Sequence, residues 1–110
     1  HASDQGPGAD LRRGSLCISL ERYQVAMDGQ EVHLTRKEID ILWLLASHAG
    51  TVFTRDHILD SVWGYDYYGD DRTVDTHIKR LRAKLDRFCH PEWEIVTVRG
   101  VGYKFEVFHE

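Results

Sequence analysis

Residues 70–87 read DDRTVDTHIKRLRAKLDR and hold six of the fourteen Lys and Arg residues of the chain. A helix advances by about 100° per residue, and at that period the apolar side chains of this segment fall into one narrow stripe. With one residue beyond the segment, the stripe consists of Val74, Ile78, Leu81, Leu85 and Phe88. The pattern predicts an amphipathic helix whose stripe faces the core.

The side of this helix opposite the stripe combines cations with small or hydroxyl-bearing side chains. On a helical wheel it carries Arg72, Thr76, Lys79 and Ala83 near its centre, Arg80 and Arg87 beside them, Thr73 and Lys84 on one flank, and Arg82 on the other. This combination is typical of a helix that enters a nucleic-acid groove. A charged outer face that only keeps a helix solvated is the alternative, although such faces commonly mix signs and here cations outnumber acids.

Each side chain on this face suits a particular contact with duplex DNA. Thr73 and Thr76 let the backbone approach base edges, and Arg80 can donate two parallel hydrogen bonds to a guanine. The peripheral cations can reach phosphates, and they are Arg82, Lys84 and Arg87.

The distribution of charge along the chain supports this interpretation better than the net charge of the chain does. The formal net charge is −4 and the pI is near 6.0, which by itself argues against a polyanionic partner. Salt screens charges beyond about 10 Å, however, so local charge matters more. Residues 72–92 hold six Lys and Arg against three Asp and Glu, and residues 35–71 hold three against seven. We therefore expect one basic and one acidic surface.

The chain before this helix divides into a linker, a sheet and two further helices. Residues 1–14 contain Gly and Pro, and we interpret them as a disordered linker or as a tag segment left from protein expression. Residues 15–110 are interpreted as one domain. LCISLERYQVAMDGQEVHL, residues 16–34, alternates in the manner of short antiparallel strands, with Asp28-Gly29 as a hairpin turn.

Helix starts are marked by hydroxyl and carboxylate residues. Thr35 with Glu38 forms the pattern of a capping box, and Thr54 can cap a second helix. Asp71 is predicted to cap the helix of the opening segment and to oppose its dipole.

A β-hairpin is predicted after Pro91. WEIVTV at 93–98 and YKFEVF at 103–108 are β-rich, and Gly100 and Gly102 between them permit a turn. Arg99 near the turn and Lys104 on the second strand could place a cation in a minor groove, where narrow walls concentrate negative potential. A hairpin that simply closes the core is the alternative, and both roles are compatible.

DRTVDTHIKRLRAKL at 71–85, followed by VRGVGYKF at 98–105, resembles the OmpR/PhoB-type winged-helix effector domain of bacterial two-component response regulators. The likeness extends over residues 16–107. It implies an α+β fold, a winged helix-turn-helix with an N-terminal antiparallel sheet, three helices and a C-terminal hairpin wing. The implied function is sequence-specific binding of double-stranded DNA for transcription regulation, as the output domain of a response regulator.

The resemblance also implies how DNA is contacted. The third helix enters the major groove, and its matching contact positions are Arg72, Thr73, Thr76, Lys79, Arg80 and Arg82. The wing enters the minor groove, where Lys104 stands at a position that is commonly Arg in the family. Lys lacks the flat fork of a guanidinium, so the contact is expected to be weaker.

Partners follow from the same resemblance. Family members contact RNA polymerase through the loop between the second and third helices, which here consists of Gly64, Tyr65, Asp66, Tyr67, Tyr68, Gly69 and Asp70. Tyrosines that pack on the domain and acids that face water are the alternative. The resemblance further implies head-to-tail dimers on direct-repeat half-sites, a receiver domain upstream, a cognate sensor kinase and a cytoplasmic location.

Two other classes of function compete with this interpretation. Seven His and two Cys suggest an enzyme or a metal site, but their spacing lacks paired ligands, so no catalytic residue, metal or cofactor is expected. Cys17 and Cys89 are expected to be reduced thiols. A protein-interaction module is the second rival, because the acidic surface of residues 35–71 could meet a basic partner.

Overall fold

The architecture consists of two antiparallel sheets with three helices between them in the chain. The computed structural model describes residues 10–64 and 70–108. Their elements are β1 (Asp10–Arg13), β2 (Leu16–Ser19), β3 (Gln24–Met27), β4 (Gln30–Val32), α1 (Arg36–Ser47), β5 (Val52–Thr54), α2 (Arg55–Trp63), α3 (Arg72–Leu85), β6 (Trp93–Val98) and β7 (Gly102–Val107). The predicted α+β winged-helix fold, with an N-terminal sheet, three helices and a C-terminal hairpin, is confirmed.

The N-terminal sheet has the strand order β1-β2-β3-β4. Asp28 and Gly29 both have positive φ, 55° and 79°, and join β3 to β4 in the tight turn that the sequence predicts. Alternate residues of β2 and β3 face the core: Leu16, Ile18, Val25 and Met27 are each at most 1% exposed.

The first strand corrects the expected start of the domain. β1 pairs with β2 from Asp10 to Arg13, so the domain begins at or before Asp10 rather than near Ser15. The guanidinium of Arg13 donates from Nε and Nη2 to the carbonyl of Ala46 at 3.1 and 3.0 Å, which attaches β1 to α1. Residues 1–9, for which the sequence predicts a linker, lie outside the described residues.

The predicted caps of α1 and α2 are both present. The Thr35 hydroxyl accepts from the Glu38 amide at 3.2 Å, and the Glu38 carboxylate accepts from the Thr35 amide at 2.9 Å. Thr54 accepts from the His57 amide at 3.0 Å at the start of α2. Each bond satisfies a backbone donor that the first helical turn leaves unpaired.

The C-terminal sheet has the order β5-β7-β6, and β5 is a strand that the sequence interpretation missed. Phe53 pairs with Tyr103, and the three residues of β5 lead directly into α2. Gly100, with φ 76°, forms the turn as predicted. Gly102 does not: a Cβ there would lie 1.9 Å from the Phe53 carbonyl oxygen, so glycine is needed for the close approach of β5.

Among the residues that the structure describes, no helix is long and apolar enough to span a bilayer.

Candidate nucleic-acid interface

Helix α3 separates its apolar and polar sides as the sequence predicts. Val74, Ile78, Leu81 and Leu85 are each at most 1% exposed, and Phe88 packs half-buried at the edge of the same core. Burial of this stripe against α1 and α2 fixes which side of the helix faces outward.

The outward side of α3 is a basic surface. Its exposed residues are Arg72, Thr76, Lys79, Arg80, Ala83 and Arg87, and we refer to them as the basic face. Among residues 10–64 and 70–108, one ion pair involves this face: Arg72 Nε lies 3.8 Å from Oδ2 of Asp70, and because both side chains are strongly exposed the pair contributes little. The basic face is therefore available to a polyanion.

Thr73 lies half-buried on the flank of α3. Its carbonyl accepts from Nδ1 of His77 at 2.8 Å, and the His77 ring packs edge-on against Trp63 at 5.0 Å. His77 thus joins α3 to the last residue of α2 and stands within the packing of the domain.

Lys84 has an internal partner that the sequence interpretation missed. Its Nζ donates to Oε1 of Glu38 at 2.7 Å, and Glu38 is 1% exposed. The same carboxylate oxygen accepts from the Thr35 amide in the capping box. A buried carboxylate requires a counter-charge, so the predicted contact of Lys84 with phosphate competes with a structural bond.

Arg82 also turns inward, toward the hairpin. Nε and Nη2 donate to the Ile95 carbonyl at 3.1 and 2.9 Å, and Nη2 donates to the Thr97 hydroxyl at 2.7 Å. The guanidinium carbon lies 5.4 Å from the centre of the Tyr103 ring. The structure places Arg82 between α3 and the hairpin rather than on the basic face.

Within the part of the chain that the structure describes, the hairpin β6–β7, which we call the wing, has one cation near its tip that makes no ion pair and one cation on its strand that does. Arg99 is exposed, next to Val101, which is 45% exposed and was not singled out from the sequence. Lys104 is half-buried, and its Nζ lies 2.7 Å from Oε1 of Glu106. Tyr103 and Phe105 face the core, as the alternation predicts.

The prediction that Asp71 caps α3 is wrong. Asp71 has helical backbone angles, φ −69° and ψ −8°, and its side chain makes no capping hydrogen bond. The residue before it performs this role: Oδ1 of Asp70 accepts from the Arg72 amide at 3.1 Å, and its carbonyl accepts from the Thr73 amide. The bond from the Arg72 amide is the main cause of a lowered pKa at Asp70, whereas a hydrogen bond with Asp70 raises the pKa of Asp71.

Asp75 is the centre of a network beside the basic face. Its Oδ1 accepts from Nε of Arg55 at 2.7 Å and from the hydroxyl of Tyr103 at 2.6 Å. Burial acts to raise the pKa of Asp75, but the hydrogen bonds from Arg55 and Tyr103 outweigh it, so the pKa is lowered. The carboxylate stays charged and tied to both partners.

The predicted polymerase-contact loop is described only at its ends. Gly64, with φ 96°, ends α2, and its amide donates to the carbonyls of Leu59 and Asp60. Lys37 Nζ donates to the Val62 carbonyl at 3.0 Å and lies 5.3 Å from the centre of the Trp63 ring. The remaining predicted loop residues, Tyr65, Asp66, Tyr67, Tyr68 and Gly69, lie outside the described residues.

A family model described as "Transcriptional regulatory protein, C terminal" matches residues 29–105, which include the basic face and the wing as far as Phe105. The chain belongs to this family, the OmpR/PhoB-type DNA-binding domains of response regulators. The resemblance drawn from the sequence is thereby confirmed, and so is transcription regulation by DNA binding as the function of the family. Within residues 10–64 and 70–108, no group of three His, Cys, Asp or Glu side chains could hold a metal ion.

Two curated relatives are longer than the segment that they share with this chain. The sensory transduction protein RegX3 of Mycolicibacterium smegmatis is 42% identical over 108 residues, covering 96% of this chain and 47% of that protein. The transcriptional regulatory protein ResD of Bacillus subtilis is 51% identical over 94 residues, covering 84% of this chain and 39% of that protein. The chain thus spans less than half the length of these relatives.

A solved structure of a family member includes its DNA. The DNA-binding domain of RstA from Klebsiella pneumoniae, in complex with the RstA box, is 41% identical with a TM-score of 0.76. The similarity covers 88% of this chain and 96% of that one.

Proposed function

We propose that this domain binds specific duplex DNA with α3 in the major groove and the wing in the adjacent minor groove. The observation that carries the proposal is the two-sided character of α3: one side is anchored in the core and the other is an exposed basic face. The major groove is about 12 Å wide and admits one helix, so the exposed side would meet base edges and both sugar-phosphate walls.

Contacts divide by position on the helix. We assign base reading to Arg80, with Thr76 and Lys79 beside it, because these residues lie in the body of α3, and to Thr73 on the flank of its first turn. Arg72 at the start of the helix and Arg87 beyond its end are assigned to phosphates. The small Ala83 side chain allows close approach of the backbone.

The other predicted DNA-contacting cations also bond to groups of the domain itself. Arg82, Lys84 and Lys104 hold internal hydrogen bonds or ion pairs, and contact with phosphate would have to share or replace these bonds. We therefore assign the minor groove mainly to Arg99, which is exposed near the tip of the wing. A narrow minor groove favours such a cation.

A salt titration tests DNA binding itself. Fluorescence anisotropy with labelled duplex DNA should show the logarithm of affinity falling linearly with the logarithm of salt, because several phosphate contacts release counterions. A slope of about −4 corresponds to four or five neutralised phosphates. A flat response, or no binding at moderate salt, would instead favour a role in docking proteins.

Further partners are proposed from membership of the family. The relatives are more than twice as long as the matched segment, which supports a full-length protein with a receiver domain before this domain and a cognate sensor kinase. We also propose a cytoplasmic location and head-to-tail dimers on direct-repeat half-sites. The loop at residues 64–70 is proposed to contact RNA polymerase, and the anchoring of Val62 and Trp63 by Lys37 would give that loop a fixed starting point.

A further inference from the structure

We propose that Asp75 is a positioning residue for DNA binding, which together with Arg82 holds the tip of the wing in a fixed orientation relative to α3. The consequence for DNA rests on the proposed function, in which α3 and the wing occupy neighbouring grooves. The geometry of the attachment does not depend on it.

Three elements meet at one oxygen atom of Asp75. Arg55, the first residue of α2, and Tyr103, the second residue of β7, both donate to Oδ1, at 2.7 and 2.6 Å. The Asp75 side chain itself projects from the first half of α3. Hydrogen bonds to a charged acceptor are stronger than neutral ones, so this junction resists displacement of any one element.

Arg82 supplies a second attachment farther along the helix. It lies seven residues after Asp75, which is about 10 Å along the helix axis at 1.5 Å per residue. Its guanidinium donates to the Ile95 carbonyl and to the Thr97 hydroxyl of β6. The backbone pairing of residues 102–104 with β5 holds the base of β7, and the two side-chain contacts, which are separated along α3, add resistance to rotation of the wing relative to that helix.

The two attachments reach the same place on the wing. Thr97 and Tyr103 are direct partners across the hairpin, one pair before Val98 and Gly102 at the turn. The side chains of directly opposite residues lie on one face of a sheet, so Asp75 and Arg82 hold both strands of the wing from one side. Tyr103 is itself buried in the core, and the other buried residues of the hairpin, Trp93, Ile95 and Phe105, lie farther from the turn.

This role accounts for an acidic residue beside a basic face. A carboxylate near phosphate would weaken binding, and Asp75 is the one acidic residue of α3. Arg55 pairs with it, which offsets the charge while the carboxylate holds the hydroxyl of Tyr103. Positioning explains the residue better than contact with DNA does.

The free domain provides the first test. Residual dipolar couplings of residues 99–101 should report one orientation relative to α3 in the wild type. They should be reduced by averaging in Tyr103→Phe and in Asp75→Asn, while couplings of α1 and α3 stay the same. Tyr23→Phe is the matched control, since it removes a tyrosine hydroxyl, in the connection between β2 and β3, that donates to Asp40 of α1. Unchanged couplings in both junction variants would overturn the proposal.

A double-mutant cycle tests the consequence for DNA. Arg99→Ala should lower affinity about tenfold in the wild type and in Tyr23→Phe, but less than about threefold in Tyr103→Phe, because a mobile tip no longer presents the cation. Losses that simply multiply in Tyr103→Phe would overturn the positioning role. If Arg99→Ala has no effect in the wild type, the proposed contact with the minor groove fails, and the couplings of the free domain alone decide whether Asp75 orients the wing.

Discussion

Arg80 and Arg87 are both exposed arginines, but they differ in their distance from the middle of α3. Arg80 lies in the body of α3, whereas Arg87 follows its last residue, Leu85. A side chain in the body of a helix within a groove faces base edges, and one beyond its end faces the sugar-phosphate wall.

Arg80→Ala should therefore weaken binding to the preferred sequence by about 1–3 kcal/mol and relax base preference at one position. Arg87→Ala should weaken binding to preferred and scrambled duplexes alike. Anisotropy titrations with both duplexes make the comparison. Equal losses on the two duplexes for Arg80→Ala would remove it from base reading.

Lys84 is partly exposed on the surface of α3, but it pairs with a buried carboxylate. Lys84→Met would leave the Glu38 carboxylate, 1% exposed, without its counter-charge. We expect a loss of about 2 kcal/mol in the free energy of unfolding, less than for a fully enclosed pair because the lysine is partly exposed. Denaturant unfolding measures this loss.

The control for Lys84 is Lys79→Met, on the exposed side of the same helix, which should change stability by less than about 0.5 kcal/mol. Adding Glu38→Gln to Lys84→Met should recover part of the loss, because the amide keeps an acceptor for Thr35 without a buried charge. Similar stability of the two lysine variants would contradict the assignment.

At the scale of elements, the connection from α3 to β6 is held by His90. Its Nε2 lies 2.9 Å from Oδ1 of Asp86, its Nδ1 lies 3.0 Å from the Trp93 carbonyl, and its ring stacks on the indole at 4.0 Å. Both ring nitrogens face acceptors, an arrangement that only the protonated ring satisfies. Burial acts to lower the pKa of His90, but the bonds to Trp93 and Asp86 outweigh it, so the pKa is raised above 6.5.

This direction predicts how stability depends on pH. The contribution of His90 is fully present below its unfolded pKa of about 6.5 and is lost as pH rises through the higher folded value. Over that window the free energy of unfolding should fall by up to about 1.4 kcal/mol per pH unit. Unfolding of the wild type and of His90→Gln from pH 5.5 to pH 8.5 makes the measurement.

His33, which is exposed directly after β4, provides the control. His33→Gln should keep the pH dependence of the wild type, whereas His90→Gln should flatten it. An unaltered dependence in His90→Gln would contradict the role of the protonated ring.

At the scale of the whole molecule, the basic face of α3 and the acidic residues of α2 divide the surface by charge. Asp56 and Asp60 of α2 are exposed, as are Asp70 and Asp71 before α3. Asp70 lies beside Arg72 at the edge of the basic face and would oppose a bound duplex. Salt screens acidic groups that lie more than about 10 Å from the duplex, so a net negative domain can still bind DNA through the basic face.

Selection of bound sites from a random duplex library should recover two copies of one short sequence in the same orientation, spaced by about one helical turn. Direct repeats follow from the proposed head-to-tail arrangement, since such an arrangement repeats one orientation along the DNA. Inverted repeats would instead indicate a two-fold symmetric dimer, and single sites would indicate a monomer.

The sequence by itself determined the elements that depend only on residues close together in the chain. The stripe of Val74, Ile78, Leu81 and Leu85 fixed both the helix and its exposed side, and Thr35 with Glu38 fixed the start of α1. These patterns arise within one helix or one turn, where the period and the capping chemistry are set by neighbours in the chain.

Tertiary structure decided the features that depend on distant partners. Lys84 and Glu38 are 46 residues apart, and Arg82 reaches Thr97 across the connection to β6. β5 has three residues and exists as a strand only because Gly102 lets β7 approach it. Whether a cation lies free for DNA or is bound inside the domain depends on which side chains folding brings within about 3 Å, and spacing along the chain does not encode that distance.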